Sequence, residues 1–153
     1  RAALPEGGAT PIAEEDALAR FDAAFEESVS LHQRSDVPYG LFLSGGIDSG
    51  AVLAMMARLN DRPVRAFTAR FDVPGSADEQ QGAEAVAQAT GARHVTITVT
   101  EADVWRELPR IVAAMDDPAA DYAIIPSWFL ARRAAEEVKV VLSGEGGDEI
   151  LGG

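Results

Sequence analysis

The chain is predicted to fold as a three-layer α/β/α domain on a parallel sheet, and three features of its sequence predict it. Short runs rich in β-branched and aromatic residues, at about 39–43, 64–70, 94–99 and 138–142, alternate with longer amphipathic runs. That is the pattern of strands joined by helical crossovers, which place helices on both faces of a parallel sheet. Two of the strand-like runs pass without slack into glycine-rich segments, Ser44-Gly45-Gly46-Ile47-Asp48-Ser49 and Ser143-Gly144-Glu145-Gly146-Gly147. The size agrees, because 153 residues at 47% apolar content can bury roughly two thirds of the extended-chain surface in one core.

Residues 1–12, rich in Pro and Gly, read as a linker. Thr10-Pro11 is expected to open a helix, with Glu14, Glu15 and Asp16 favoured near the positive end of its dipole. Leu18, Phe21, Phe25, Val29 and His32 share one face of it at 3- and 4-residue steps. The first strand, 39–43, leads through the glycine turn into a second helix at about 48–60, closed by Asn60-Asp61. A second strand follows at 64–70. Ser76 with Glu79 forms a capping box for a third helix that Gly91 ends. Beyond the third strand, 94–99, Thr100 and Asp103 open a fourth helix with Val104, Leu108, Ile111, Val112 and Met115 turned inward. Pro109 is expected to kink or split that helix. A fifth helix is placed after Pro126 and a fourth strand at 138–142.

Composition excludes several functions. Net charge is −12, from 13 basic and 25 acidic residues, and no cluster of Lys or Arg offers a face for nucleic acid. Arg132-Arg133, the densest basic pair, reads as a solvated helix face, and His94 as a strand-edge residue. There is no Cys, hence no disulfide, thiol nucleophile or Cys/His zinc site, and two separated His do not make one. No stretch approaches the ~20 apolar residues of a membrane span. Because the chain opens on Arg1 and stops at Gly153 just after its second motif, it is expected to be a segment of something longer.

The first glycine segment carries the clearest chemistry. A strand–turn–helix junction aims free backbone N–H groups and the positive end of a helix at one point, a ready anion site. Gly45 and Gly46 let the backbone come close to a phosphate, and Ser44 and Ser49 add hydroxyl donors. Asp48 would repel such a ligand unless a cation bridged them, which argues for a divalent metal, Mg²⁺. Other acids have plainer explanations. Asp116 and Asp117 are equally well read as the end of the fourth helix, Asp121 as turn chemistry, and Glu149 as a helix-start acid.

The Ser44–Ser49 string resembles the pyrophosphate loop of the N-type ATP pyrophosphatases. The run Ser143-Gly144-Glu145-Gly146-Gly147-Asp148-Glu149-Ile150-Leu151-Gly152-Gly153 resembles the SGEG-x-DE-x-x-GG segment of glutamine-hydrolysing asparagine synthetases, and Asp116-Asp117-Pro118-Ala119-Ala120-Asp121 through Pro126 their DEP-x-AD stretch. The resemblance runs from about residue 14 to the end. It implies strand order 3-2-1-4, with the site at the carboxyl ends of strands 1 and 4, where the strand order reverses. It further implies ATP bound by Leu43, Ser44, Gly45, Gly46, Asp48, Ser49, Ala69, Ser143 and Gly144, with Mg²⁺ held by Asp48 and Asp148 and Glu145 at the reacting centre. The implied reaction adenylates the side-chain carboxylate of aspartate, releases pyrophosphate and aminates the product to asparagine. Its partners would be small molecules only, with ammonia delivered from a glutaminase domain missing here, and its setting cytoplasmic. Residues 13–153 would then be a C-terminally truncated synthetase domain, inactive alone. Relatives that close β-lactam rings or cyclise peptides use the same adenylation, and Ala123-Ile124-Ile125 replaces the polar residues usual before the conserved Pro. Such an enzyme, or an inactive nucleotide-binding segment, stays open as an alternative.

Overall fold

The computed structural model describes residues 11–72, 77–115, 117 and 121–147. Nine elements follow in the order α1 (Glu14–His32), β1 (Tyr39–Phe42), α2 (Ile47–Leu59), β2 (Arg65–Phe71), α3 (Ala77–Thr90), β3 (Arg93–Val99), α4 (Glu101–Ala113), α5 (Ile124–Ala134) and β4 (Val140–Leu142). The sheet is parallel throughout and ordered β3-β2-β1-β4, the order that the resemblance implies. Among the described residues no helix is long and apolar enough to cross a membrane.

Strand pleating sorts side chains to two faces. Leu41 and Ala66, paired in register, point to the side of α1, α2 and α3, where they join Val29, Leu53, Met56 and Ala83 in the larger core. Phe42 and Phe67, the next pair, point to α5 with Val95, Ile97, Leu130 and Ala134. Leu41, Leu53, Met56 and Phe67 are completely buried, each contributing on the order of 1.5–3 kcal/mol by leaving water.

Several helix details depart from the sequence pattern. α1 begins at Glu14, three residues after Pro11, and only Phe25 and Val29 of its apolar stripe reach the core. Leu18 and Phe21 are 61% and 45% exposed, since no described element covers that part of the helix. Val112 of α4 is likewise exposed at 59%. Pro109 does not split α4. Its missing N–H frees the Trp105 carbonyl, but both residues lie on the solvent side, where water takes the place of the lost bond. α5 starts two residues before Pro126, which occupies the first turn, where an N–H has no helical partner in any case. The Ser76 capping box and the 1–10 part of the expected linker lie outside the described residues.

Arg132 and Arg133 are not simply solvated. Arg132 donates to Glu107 Oε2 at 2.7 Å, and Arg110 and Arg106 approach the other oxygen at 3.3 and 3.8 Å. Glu107 is only 4% exposed, so this carboxylate ties α4 to α5. Arg133 pairs with Glu137 at 2.6 Å, and Glu137 also lies 3.6 Å from Arg65 and Arg93 at the amino ends of β2 and β3.

Thr100 and Asp103, expected to open the fourth helix, do so as a capping box. The Asp103 N–H donates to Thr100 Oγ1 at 3.2 Å, and the Thr100 N–H donates to Asp103 Oδ2 at 3.0 Å. The Thr100 hydroxyl bond, the backbone bond and Arg106 lower the Asp103 pKa from 3.8 to about 2. A carboxylate with a depressed folded pKa stabilises fully above its ordinary value and loses that contribution as pH falls. Thr100→Ala should therefore cost about 1 kcal/mol at neutral pH, and the gap to the parent chain should narrow between 3.8 and about 2. Urea denaturation of both proteins across that interval measures it; a gap that does not change with pH contradicts the assignment.

Candidate functional site

β1 and β4 lie side by side, and Leu41 pairs with Leu142, so both strands end at one height. Above them opens a cavity of about 790 Å³, walled by both glycine loops, by Thr68–Phe71 of β2 and by the start of α5. A second cavity of about 780 Å³ lies between α1, α2 and β4 and shares the second loop and Asp48.

The first loop is built as an anion cradle. Gly46, extended at φ −78° and ψ 160°, caps α2 without a side-chain bond. The first helical donor with an acceptor is Gly50, whose N–H reaches Gly46 O at 3.2 Å. The N–H groups of Gly45, Ile47 and Asp48 have no hydrogen-bond partner among the described residues. Ser44 is exposed, as a ligand-facing hydroxyl must be. Ser49 is 4% exposed, and its Oγ accepts from the Ser44 N–H at 3.2 Å and lies 2.9 Å from Ser44 Oγ. Further contacts to Ser44 O and Gly46 O make Ser49 a brace beneath the loop.

The second loop lies directly on this structure. A Cβ at Gly144 would meet the Ser49 nitrogen at 2.5 Å, and one at Gly147 would meet Asp48 Cγ at 2.5 Å. Backbone thus touches the first turn of α2 with no side chain between. Asp48 is half-buried and has no hydrogen-bond or ion-pair partner among the described residues, although it borders both cavities. An uncompensated carboxylate beside unpaired donors suits a cation brought from solution together with an anion. Glu145 is exposed and also borders both cavities, its N–H resting on Ser143 Oγ at 3.4 Å.

Of the remaining predicted residues, Leu43, Ala69, Ser143 and Gly144 all line the cavity above β1 and β4 with the first loop. Asp121 follows its turn explanation, accepting the Ala123 N–H at 2.8 Å. Asp116, Asp148 and Glu149 lie outside the described residues, and among the described residues no three His, Asp or Glu side chains gather as a metal site. Thr68 was missed from the sequence: a buried hydroxyl at the cavity wall, bonded to Leu43 O at 2.7 Å. Its only signal is a polar residue in the otherwise apolar run Ala66-Phe67-Thr68-Ala69.

The glycine contacts make a stability contrast. Gly144→Ala drives a methyl into the backbone of α2 and should cost on the order of 1–3 kcal/mol. Gly50→Ala meets only the Val86 methyls at 3.7–3.8 Å, an ordinary contact, and should stabilise its helix by about 0.5–1 kcal/mol. Denaturant midpoints of the two variants settle it; equal effects would mean that the loops are not in contact.

The sequence profile of the asparagine synthase family matches residues 20–153. A Mycobacterium tuberculosis protein, named provisionally as a glutamine-hydrolysing asparagine synthetase, is 46% identical over 98% of this chain and 23% of its own length. Glutamine-hydrolysing asparagine synthetase 1 of Bacillus subtilis is 40% identical over 92% of this chain and 22% of its own length. Asparagine synthetase B of Escherichia coli is 33% identical over 85% and 26%. The chain thus spans about a quarter of the length of these relatives. Among solved structures, the NH3-dependent NAD synthetase of Campylobacter jejuni, in complex with a nitrate ion, superposes with a TM-score of 0.56 over 92% of this chain and 60% of that one. At 17% identity this likeness shows the fold alone. With two glycine loops meeting at the β1–β4 boundary and a profile matching all but its first 19 residues, the chain belongs to the asparagine synthase family.

Proposed function

We propose that this chain supplies the ATP-binding site of a ligase that adenylates the side-chain carboxylate of aspartate for amination to asparagine. In this reading residues 13–153 are part of the synthetase domain and 1–12 a linker into it. One observation carries the proposal. Gly45 and Asp48, whose N–H groups have no hydrogen-bond partner among the described residues, line the cavity, and the second glycine loop closes over the Asp48 carboxylate, which also has no partner among those residues.

The nucleotide is held by backbone groups of Leu43, Ala69, Ser143 and Gly144, which turn its α-phosphorus toward the wall formed by α5. A substrate carboxylate oxygen attacks that phosphorus as the bond to pyrophosphate breaks. The leaving group is retained by the N–H groups of Gly45, Ile47 and Asp48 and by Ser44, donors already oriented before reaction and therefore effective on developing charge. Asp48 and Asp148 would hold a Mg²⁺ ion, which would supply neutralisation of that charge; Asp148 follows Gly147 in sequence, and the Gly147 backbone abuts Asp48. Glu145 serves the reacting centre, accepting a proton as ammonia attacks the acyl carbon and AMP departs. The ammonia is drawn from glutamine by a separate domain, since a cysteine-free chain has no thiol for that hydrolysis.

A second reading rests on the cavity wall. Tyr122, Ala123, Ile125 and Pro126 present apolar surface where a small acidic amino acid would need donors. That favours a bulkier, less polar carboxylate, as in a β-lactam- or peptide-closing relative.

Asp48→Asn should weaken Mg-ATP binding far more than AMP binding, because AMP lacks the pyrophosphate whose charge a metal held by Asp48 would offset. Titration calorimetry with both nucleotides tests this, and equal losses would remove the metal role. Glu145→Gln should abolish carboxylate-dependent pyrophosphate release and leave the melting temperature nearly unchanged, as its side chain is exposed. A large drop in melting temperature would instead make Glu145 a structural residue. Running that release assay with aspartate against larger apolar carboxylates separates the two readings.

A further inference from the structure

β2 borders the cavity, and its residues alternate in which neighbouring strand they bond. The Arg93 N–H donates to Val64 O at 2.8 Å and the Asp72 N–H to Val99 O at 3.2 Å, so even-numbered residues of this segment serve β3. The Leu43 N–H donates to Phe67 O at 2.9 Å, so odd-numbered residues serve β1. By this alternation the Leu43 carbonyl and the Ala69 N–H should form the next rung of the β1–β2 ladder. The rung is not made. The Leu43 carbonyl accepts from the Thr68 hydroxyl at 2.7 Å instead, and the Ala69 N–H has no hydrogen-bond partner among the described residues. Ala69 is half-buried and lines the cavity, so this donor sits at its wall.

What keeps the Thr68 hydroxyl in that orientation is a second contact. Thr68 is 5% exposed, and its Oγ1 lies 2.8 Å from His94 Nε2. A hydroxyl has a single proton. With that proton given to Leu43, the imidazole must be the donor, which fixes the tautomer that carries its proton on Nε2. Burial lowers the His94 pKa, opposed by Glu84, and favours the neutral ring. A chain of donors thus runs from His94 on the edge strand through Thr68 to Leu43, the residue before the anion loop.

We infer that Thr68 and His94 are positioning residues: by holding the Leu43 carbonyl out of the ladder they leave the Ala69 N–H free to donate to a ring nitrogen of the nucleotide base. The inference rests on the ATP-binding reading above and deepens it. It assigns base recognition to a ladder defect and phosphate recognition to the glycine loop, two functions that separate experimentally because inorganic pyrophosphate has no base.

Titration calorimetry with AMP and with pyrophosphate, on the parent protein and four variants, tests it. Thr68→Val removes the hydroxyl at similar shape, and the Leu43 carbonyl can then take the Ala69 N–H. AMP affinity should fall about tenfold, the worth of one well-placed hydrogen bond, with pyrophosphate affinity unchanged. Thr68→Ser should bind AMP as the parent does. His94→Gln, which keeps an N–H donor, should retain more AMP affinity than His94→Leu. If Thr68→Val does not fold, Thr68→Ala against Thr68→Ser makes the same comparison. Parent-like AMP affinity in Thr68→Val, or parallel loss of AMP and pyrophosphate, overturns the inference while leaving the ATP-binding reading intact. A parent protein that binds neither ligand overturns both.

Discussion

The second loop rests its backbone on the first turn of α2, and that contact organises the site. It exists because a hydrogen stands where Gly144 and Gly147 would otherwise carry a methyl, each within 2.5 Å of α2 atoms if it had one. Two segments about a hundred positions apart in the sequence thereby become one surface. The sheet order serves the same end. The chain builds β2 and β3 on one side of β1, then returns to lay β4 on the other, so that the carboxyl ends of β1 and β4 open side by side.

The cores behave differently from the site they support. On the α1–α3 face, Leu41, Leu53 and Met56 are sealed from solvent, and local propensity, pattern and packing agree. At the site the same chain leaves three N–H groups unpaired and a half-buried carboxylate without a counter-charge among the described residues. A protein violates its own rules of satisfaction mainly where a ligand completes them. The rung missing between Leu43 and Ala69 is a violation of the same kind.

Much of this was legible in the sequence. β-branched runs and glycine punctuation located all four strands to within two residues, and the motif at 44–49 marked the turn that α2 caps. Helix periodicity was less informative than it looked. It identified an apolar stripe on α1 but not whether anything covered it, and Leu18 and Phe21 stayed exposed because coverage depends on a neighbour far away in the chain. Pro109 and Pro126 were read by a local rule, which solvent exposure at one and position in the first turn at the other set aside. Thr68 and His94 stayed hidden for a different reason. Their bonds span 25 and 26 positions, and no local pattern encodes which strands will be neighbours. The glycines of the second loop were visible as a motif, yet the contact that requires them was not.

The buried Glu107 bears on how this surface tolerates change. One carboxylate is shared by three guanidinium groups, from Arg106, Arg110 and Arg132. The arrangement is redundant on the cationic side, while on the acidic side Glu107 is shared by all three and, among the described residues, only Arg106 has a second acid, Asp103, at 2.5 Å. Any one arginine can be replaced by a neutral residue and leave the acid still paired, whereas loss of the acid leaves Arg110 and Arg132 without the carboxylate they share. Substitution costs at these positions are therefore neither equal nor additive.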